Sequence, residues 1–491
     1  MSTDLPGHLS VAEAESESAA HLSTGVLGTA DIVFMVMAAA APMGGVVMLF
    51  PLAFAFGNGV GVPATYLGAI IAMLLFAIGY VRIIPHVQNA GAFYAYIAAG
   101  VGRVTGLAAA YIAAFSYFAL SASTLTALAY FCERFFEQDF GLSLHWSVWA
   151  FAGLLLIAIL SYHRITVAAK VLGFALVAEV VVILVLDFAI LAQTGWRGVN
   201  FHSFTVSSMV APGLGVAAIY AFNTMLGVEG TAIYQEEARN PLVTVPRATY
   251  VAVVLVGLFY VFTAWCLVMA VGDNIATVAK ADPGALVINQ TSSHVGKWFA
   301  HAVSVLVLTS TFAGGLGLFN NSARYLYALG RDGVLPKALA KTHPRHRSPH
   351  IATWVLTVAL IIVLMLGVLA GLHPLTTLSS SLVGLGSVGL MALLAITSLI
   401  IPIYFARQRK FGLKITMAPA VGGLVIGSAT VLAFLNYHLL TGVDSVVINR
   451  LPYLLVALAI VGGVQALWLR RNDPVRYQRI ASTRIDKDPQ E

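Results

Sequence analysis

Apolar stretches of about 18 or more residues, each long enough to cross the hydrocarbon core of a bilayer as a helix, recur from end to end of this sequence. Such a chain can fold only by satisfying its backbone within helices or a closed barrel, and runs of this length are helical runs. The pattern predicts twelve spans, at residues 28–57, 62–84, 104–131, 146–162, 168–193, 211–234, 248–271, 298–328, 351–371, 377–404, 416–440 and 447–469. Only 10% of the side chains are charged and 59% are hydrophobic, against roughly 25% charged in soluble domains. No connection is long enough to hold a soluble domain, so the expected fold class is an all-α integral membrane protein. Residues 1–27 are polar and acidic, with Asp4, Glu13, Glu15 and Glu17 and no Lys or Arg. They read as a disordered tail and not as a cleavable signal peptide.

The net charge of +6 points to orientation and away from nucleic acid. With a cytoplasmic N-terminus, 22 of the 27 Lys and Arg fall in inside loops and the C-terminal tail, as the positive-inside rule expects. The outside loops then hold Arg134, Arg197, Lys280, Lys297 and Arg450. Both termini are therefore expected inside, and the basic tail 471–491 faces anionic lipid headgroups. Cys132 and Cys266 lie in apolar segments without metal-ligand spacing, so neither a disulfide nor a metal site is expected, and no cofactor is implied.

Two spans are interrupted. "AAPMGGVVMLFPL" (40–52) breaks the first at Pro42, Gly44 and Gly45, and "AIYAFNTMLGVEGTAIYQEEARNP" (218–241) breaks the sixth at Gly227 and Gly230. Matched interruptions in corresponding halves are the sequence mark of a transporter built from inverted repeats. Unwound backbone at bilayer depth must line a polar cavity or hold a ligand. Free N–H groups at a half-helix start suit a carboxylate, and freed carbonyls accept from an ammonium. An ordinary proline kink with close-packed glycines is the competing reading.

Ionisable groups at the bilayer centre cost about 2.5 to 3.5 kcal/mol on insertion scales, so each needs a reason. Glu179 and Asp187 lie in the fifth span and Glu229 follows the sixth-span break. Asp31 and Glu133 sit near span ends and Asp187 toward the outer end of its helix, where an interface-facing acid is the simpler reading. His86, His163 and His350 fall in loops and read as solvated.

Three stretches resemble the amino acid, polyamine and organocation (APC) superfamily of secondary transporters. "IPHVQNAGAFYAYIAAGVGR" (84–103), with Gly91, Tyr94 and Tyr96, resembles the loop entering the third span. "FNTMLGVEGTAIYQEEARNPLVTVPRA" (222–248) resembles the sixth-helix signature, with Gly227, Glu229, Glu236, Glu237, Asn240, Pro241, Pro246, Arg247 and Ala248. "NNSARYLYALGRDGVLPKALAKTHPRHRSPHIA" (320–352) resembles the segment after span eight, with Ser322, Arg324, Asp332, Gly333, Leu335 and Pro336. The resemblance implies a LeuT-like ten-helix core of two inverted five-helix repeats over 28–404, two further helices over 405–470, and a central site between spans one, three, six and eight.

Residue by residue, the resemblance implies a backbone nest of Met43, Gly44 and Gly45 and, beside Gly227, a carboxyl at Glu229 that binds a substrate amine or gates access by changing protonation, against the plainer reading of a protonated carboxyl hydrogen-bonded to neighbouring backbone. Where relatives that carry ordinary amino acids have a Gly-Ser-Gly-like run, this chain has "APMGG". Where an aromatic gate is common it has Asn223, which suggests a more polar substrate or a gate formed elsewhere, by Phe222 or Phe312. Glu179 stands where several relatives carry a buried lysine. An acid there suits proton coupling, because a desolvated carboxyl exchanges protons nearer neutral pH. Sodium ligation with Thr309, Ser310 and Thr311, or a salt bridge, remains open. Glu236 and Glu237 are expected as inner-gate partners of the arginines in "GRDGVLPKALAKTHPRHR".

The expected function is a proton-coupled permease for amino acids, amines or polyamines in the cytoplasmic membrane, with an exchanger or sodium symporter as the alternative. No H-E-x-x-H, G-x-S-x-G or G-x-x-x-x-G-K-[ST] motif occurs, which argues against an enzyme or an ATP-driven pump. Two half-broken helices argue against a continuous channel.

Overall fold

The computed structural model describes residues 25–87, 93–163, 166–234, 238–346, 348–441 and 445–481. Most of the expected N-terminal tail, Gly91, Glu236, Glu237 and the last ten residues lie outside the described residues. Among the described residues eleven helices are long and apolar enough to cross a membrane, and no strand occurs beyond one isolated bridge, Leu27 to Ala238. The predicted sixth span is not among those eleven because its break divides it into two short pieces.

In chain order the helices are α1 Thr29–Ala40 and α2 Phe50–Phe56, which flank the first break. They continue with α3 Val62–Ile83, the short α4 Phe93–Val101, and α5 Arg103–Phe140. Next come α6 Trp146–His163, α7 Thr166–Gly198 and α8 Leu214–Thr224. After α9 Pro241–Val271 and the loop helix α10 Leu286–His294 comes α11 Lys297–Arg331. The chain closes with α12 His350–Leu369, α13 Ser380–Arg407, α14 Ala418–Leu435, α15 Pro452–Asn472 and the short α16 Pro474–Arg479.

Packing follows from which helices are apolar all round. α5 is central, against α11, α13, α15 and α4. α3 packs on α9 and α14, and α7 lies against α9, α11 and α1. One large apolar cluster runs through the bundle, and a second joins α5, α6, α11 and α12 through Leu125, Leu154, Phe319 and Leu356. Leu155, Leu366, Leu424 and Val464 are exposed on the outer faces of their helices. Apolar surface on this scale needs lipid and not water against it. The chain is a multi-pass membrane protein.

At the chain start, Asp31 accepts from the Gly28 N–H at 2.8 Å and so caps α1. Leu27 and Val26 accept from the backbone N–H and Nε of Arg239, tying this start to the end of the sixth span.

Candidate functional site

Pro42 has no N–H to donate and disfavours helix at the residue before it. Ala41 accordingly adopts φ 45°, ψ 70°, a left-handed conformation rare without glycine, and α1 ends there. The helix resumes through Pro42–Gly44 and a π-turn over Gly45–Leu49 before α2. The first N–H groups of this second half are engaged inside the protein. Gly44 donates to Ser310 Oγ at 3.3 Å and Gly45 to the Ala41 carbonyl at 2.9 Å. The Met43 backbone and the Ser310 side chain are the polar neighbours of Glu179 on α7.

The sixth span breaks differently. α8 ends at Thr224, Gly227 takes φ 111°, and a 3-10 turn runs over Val228–Tyr234. Only glycine enters that region without strain. Glu229, 1% exposed, turns back on the break: Oε2 accepts from the Gly227 N–H at 2.8 Å and Oε1 from Tyr117 Oη at 3.0 Å. Tyr80 Oη donates to the Glu229 carbonyl at 3.0 Å.

The two breaks meet at a cavity of about 90 Å³, room for several waters or a small solute at roughly 10–15 Å³ per water. Ala41, Gly44 and Gly45 line it from the first break, and Asn223, Thr224 and Leu226 from the sixth span. α5 contributes Leu120, Ser123 and Thr124, and α11 contributes Thr311, Gly314 and Leu318. No charged side chain lines it among the described residues.

Of the residues singled out from the sequence, Gly44, Gly45, Asn223 and Thr311 are brought together at the cavity, and Glu229 is not among its lining residues. Met43, Phe222 and Gly227 are buried behind this wall or at its edge and are not lining residues. Phe312 packs against the second apolar cluster and is not a lining residue of the cavity. Thr309 donates back to the Leu306 carbonyl of its own helix at 3.0 Å, whereas Ser310 faces the first break. Asp187 departs from the interface-facing expectation: it is fully buried and accepts from Thr263 on α9.

Sequence reasoning missed Ser123 and the stretch before α13. Ser123 Oγ donates to the Ser379 carbonyl at 2.8 Å, and Ser379 Oγ to the Ser123 carbonyl at 3.0 Å, so the two close one side of the cavity. The signal was legible as "SAST" (121–124) and "TTLSSS" (376–381), hydroxyl runs inside apolar spans that need partners there.

Tyr117 precedes Leu120–Thr124 on α5, and Tyr325 follows Leu318 on α11, so both lie on the Lys- and Arg-rich side of the cavity. With Tyr80, Tyr94 and Tyr96 they form a buried aromatic layer under Glu229, Tyr117 and Tyr325 at 5.4 Å between ring centroids and Tyr80 and Tyr96 at 5.4 Å. Below it Tyr94 Oη donates to Asp332 at 3.0 Å, and Arg324 lies 5.2 Å over the Tyr234 ring.

Comparison with known proteins gives the same picture. The family model described as amino acid permease matches residues 27–464. The branched-chain amino acid permease BcaP of Bacillus subtilis is 23% identical over 363 residues, 70% of this chain and 74% of that one. The low-affinity putrescine importer PlaP of Escherichia coli is 25% identical over 299 residues, 59% and 63% of the two chains. BcaP of Lactococcus lactis is 26% identical over 328 residues, 62% and 68%. A match across nearly all of the described bundle, with permeases as relatives, places this chain in the amino acid permease family of the APC superfamily, as a permease and not an enzyme.

Proposed function

We propose that this chain is a proton-coupled secondary transporter of neutral, apolar amino acids across the cytoplasmic membrane, with both termini on the cytoplasmic side. Alternating access would work through a ten-helix core of two inverted five-helix repeats, completed by α14 and α15 and, with the broken sixth span, giving twelve spans. The observation that carries this reading is an uncharged cavity floored by two helix breaks, with a buried acid against one of them.

The lining favours the substrate class. Met48, Leu49, Leu120 and Val383 offer apolar surface to a side chain, and Asn223 and Thr224 offer neutral polar groups to the zwitterion. Carbonyls freed at the breaks accept from the ammonium, and the carboxylate would reach the Gly44 and Gly45 N–H groups by displacing their present acceptors. A polyamine would need carboxylates in the lining. Neither neighbouring acid lines the cavity: Glu229 has its oxygens on Gly227 and Tyr117, and Glu179 stands against the Met43 backbone and Ser310. The branched-chain permeases among the relatives fit this chemistry better than the putrescine importer does. The tyrosine layer closes the cytoplasmic side and leaves the cavity nearer the outside, as in an outward-facing or occluded state.

Glu179 supplies the coupling. Its Oε2 is buried without a hydrogen-bond partner beside the break, so its protonation would set the charge against which the first half-helices sit. Reconstitution into proteoliposomes tests the reading with labelled leucine, glutamate, lysine and putrescine, with and without an imposed pH gradient. Leucine accumulation driven by the gradient is expected, and Glu179→Gln should lose that accumulation. Preference for putrescine would overturn the substrate class. Accumulation that follows sodium and ignores the pH gradient would make Glu179 a sodium ligand, and strict one-for-one exchange would remove the coupling role.

A further inference from the structure

Eight residues beyond Glu179, α7 carries a second acid that the transport reading does not use. Asp187 is 0% exposed, about 12 Å further along the helix at 1.5 Å per residue. Its Oδ2 accepts from Thr263 Oγ1 at 2.7 Å, and its Oδ1 has no hydrogen-bond partner. No cation pairs with it among the described residues. A carboxylate buried without a cation is costly, so the site must accommodate a proton for at least part of its life.

The surroundings give that proton a direction. α9 faces α7 with Tyr260, Thr263 and Cys266, three successive positions of one helix face. The Tyr260 hydroxyl has no partner either, lies 2.8 Å from where a Gly45 side chain would begin, and interacts electrostatically with Glu179. Asp187 Oδ1, Tyr260 Oη and Glu179 Oε2 are thus three partnerless buried oxygens on two adjacent helices. The other ionisable groups near this end belong to neighbouring elements. His294 on α10 caps its own helix turn, and its carbonyl receives Gln193 of α7. On α11, Lys297 is exposed and His301 turns to Asp139 at 3.3 Å. Asp31 on α1 and Arg324, Tyr325, Tyr327 and Arg331 on α11 lie at the opposite end, and the broken turn at Pro42–Gly44 brings no ionisable side chain.

We propose that Asp187 is a second proton-carrying carboxyl, which takes a proton from the α10 end of the bundle and passes it by way of Tyr260 to Glu179. The transfer balances: the Asp187 acid becomes a carboxylate, Tyr260 accepts one proton on oxygen as it releases its own, and the Glu179 carboxylate becomes the acid. The inference rests on Glu179 being the coupling acid.

The test separates the two. In proteoliposomes of the full chain, Asp187→Asn should slow pH-driven accumulation about tenfold, or 1.4 kcal/mol, while counterflow exchange persists. Asp187→Glu should restore accumulation. Asp187→Asn accumulating like the parent while Glu179→Gln does not would overturn the relay and leave the coupling acid in place. Glu179→Gln accumulating like the parent would overturn both. If Asp187→Asn does not fold, infrared difference spectra of the parent and Thr263→Val decide. A protonated-carboxyl C=O band that responds to external pH and shifts in Thr263→Val supports the relay, and a band insensitive to external pH overturns it.

Discussion

The two breaks look alike in sequence and are held in opposite ways. At the first, proline forces the helix open and strains Ala41 into the left-handed region, and the polar groups that meet it come from other helices: Ser310 on α11 and Glu179 on α7. At the sixth, glycine permits the opening, and the freed Gly227 N–H is capped by the break's own Glu229 two residues on, with Tyr117 and Tyr80 of α5 and α3 donating to that residue from outside. A break that depends on distant side chains can be read and altered by them. One that caps itself is a fixed shape. The first break is therefore where coupling would enter, and the sixth is where the cavity floor is set.

The largest expected effect strikes the first break. A side chain on Gly45 would stand 2.8 Å from Tyr260 Oη and 3.2 Å from its ring carbon, so Gly45→Val should abolish uptake while the protein still inserts. Gly44→Ala meets only Ala41 Cβ, at 3.6 Å, and should keep most of the activity. Equal loss in both variants would mean that the glycines serve backbone freedom and not close approach. The assay is uptake normalised to purified, monodisperse protein.

At the sixth break, Glu229→Ala leaves the Gly227 N–H and the Tyr117 hydroxyl without their acceptor. Each such buried group costs about 1 to 3 kcal/mol. A lowered melting temperature and a uniform loss of transport, at least about tenfold, should follow for every substrate. Glu229→Gln keeps one acceptor oxygen and should fall between. If Gln instead weakens cationic substrates and spares zwitterions, Glu229 reaches the substrate ammonium and the self-capping description of this break fails.

How much of this was legible follows from the kind of information each feature needs. The spans were legible because lipid requires long apolar runs, and the breaks because Pro42 and Gly227 interrupt them. What each break touches was not, because partners such as Ser310 and Tyr117 lie 266 and 112 residues away in sequence. Phe312 illustrates the limit: one residue from the cavity-lining Thr311, it faces the second apolar cluster, since neighbours on a helix point about 100° apart. Asp187 read as an interface acid from its place near a helix end, and only the packing of α9 reveals its burial.

A smaller effect is expected from Tyr117→Phe. The hydroxyl joins α5 to the sixth-span turn by one bond to a carboxyl that keeps its second donor at Gly227. Loss of one such bond costs about 1 kcal/mol, roughly fivefold. Uptake should fall by about that factor with its substrate preference unchanged. A change in preference would place Tyr117 in the substrate site.

The smallest effect separates neighbours on α11. Thr309 returns its hydroxyl to the Leu306 carbonyl of its own helix, so Thr309→Val removes a local bond that the backbone does not require. Its cost should stay within about 0.5 kcal/mol. Ser310 accepts from the Gly44 N–H and faces Glu179. Ser310→Ala therefore leaves a broken-helix N–H and a buried carboxyl each short of a polar neighbour, and should impair gradient-driven accumulation measurably more. The contrast is between adjacent residues of similar chemistry, so general effects on insertion or lipid packing fall on both. If the two variants behave alike in accumulation, the first break is not held by α11. If Thr309→Val is the more damaging, its hydroxyl must leave the helix backbone during transport, and a cation ligated from α11 becomes the better account of coupling.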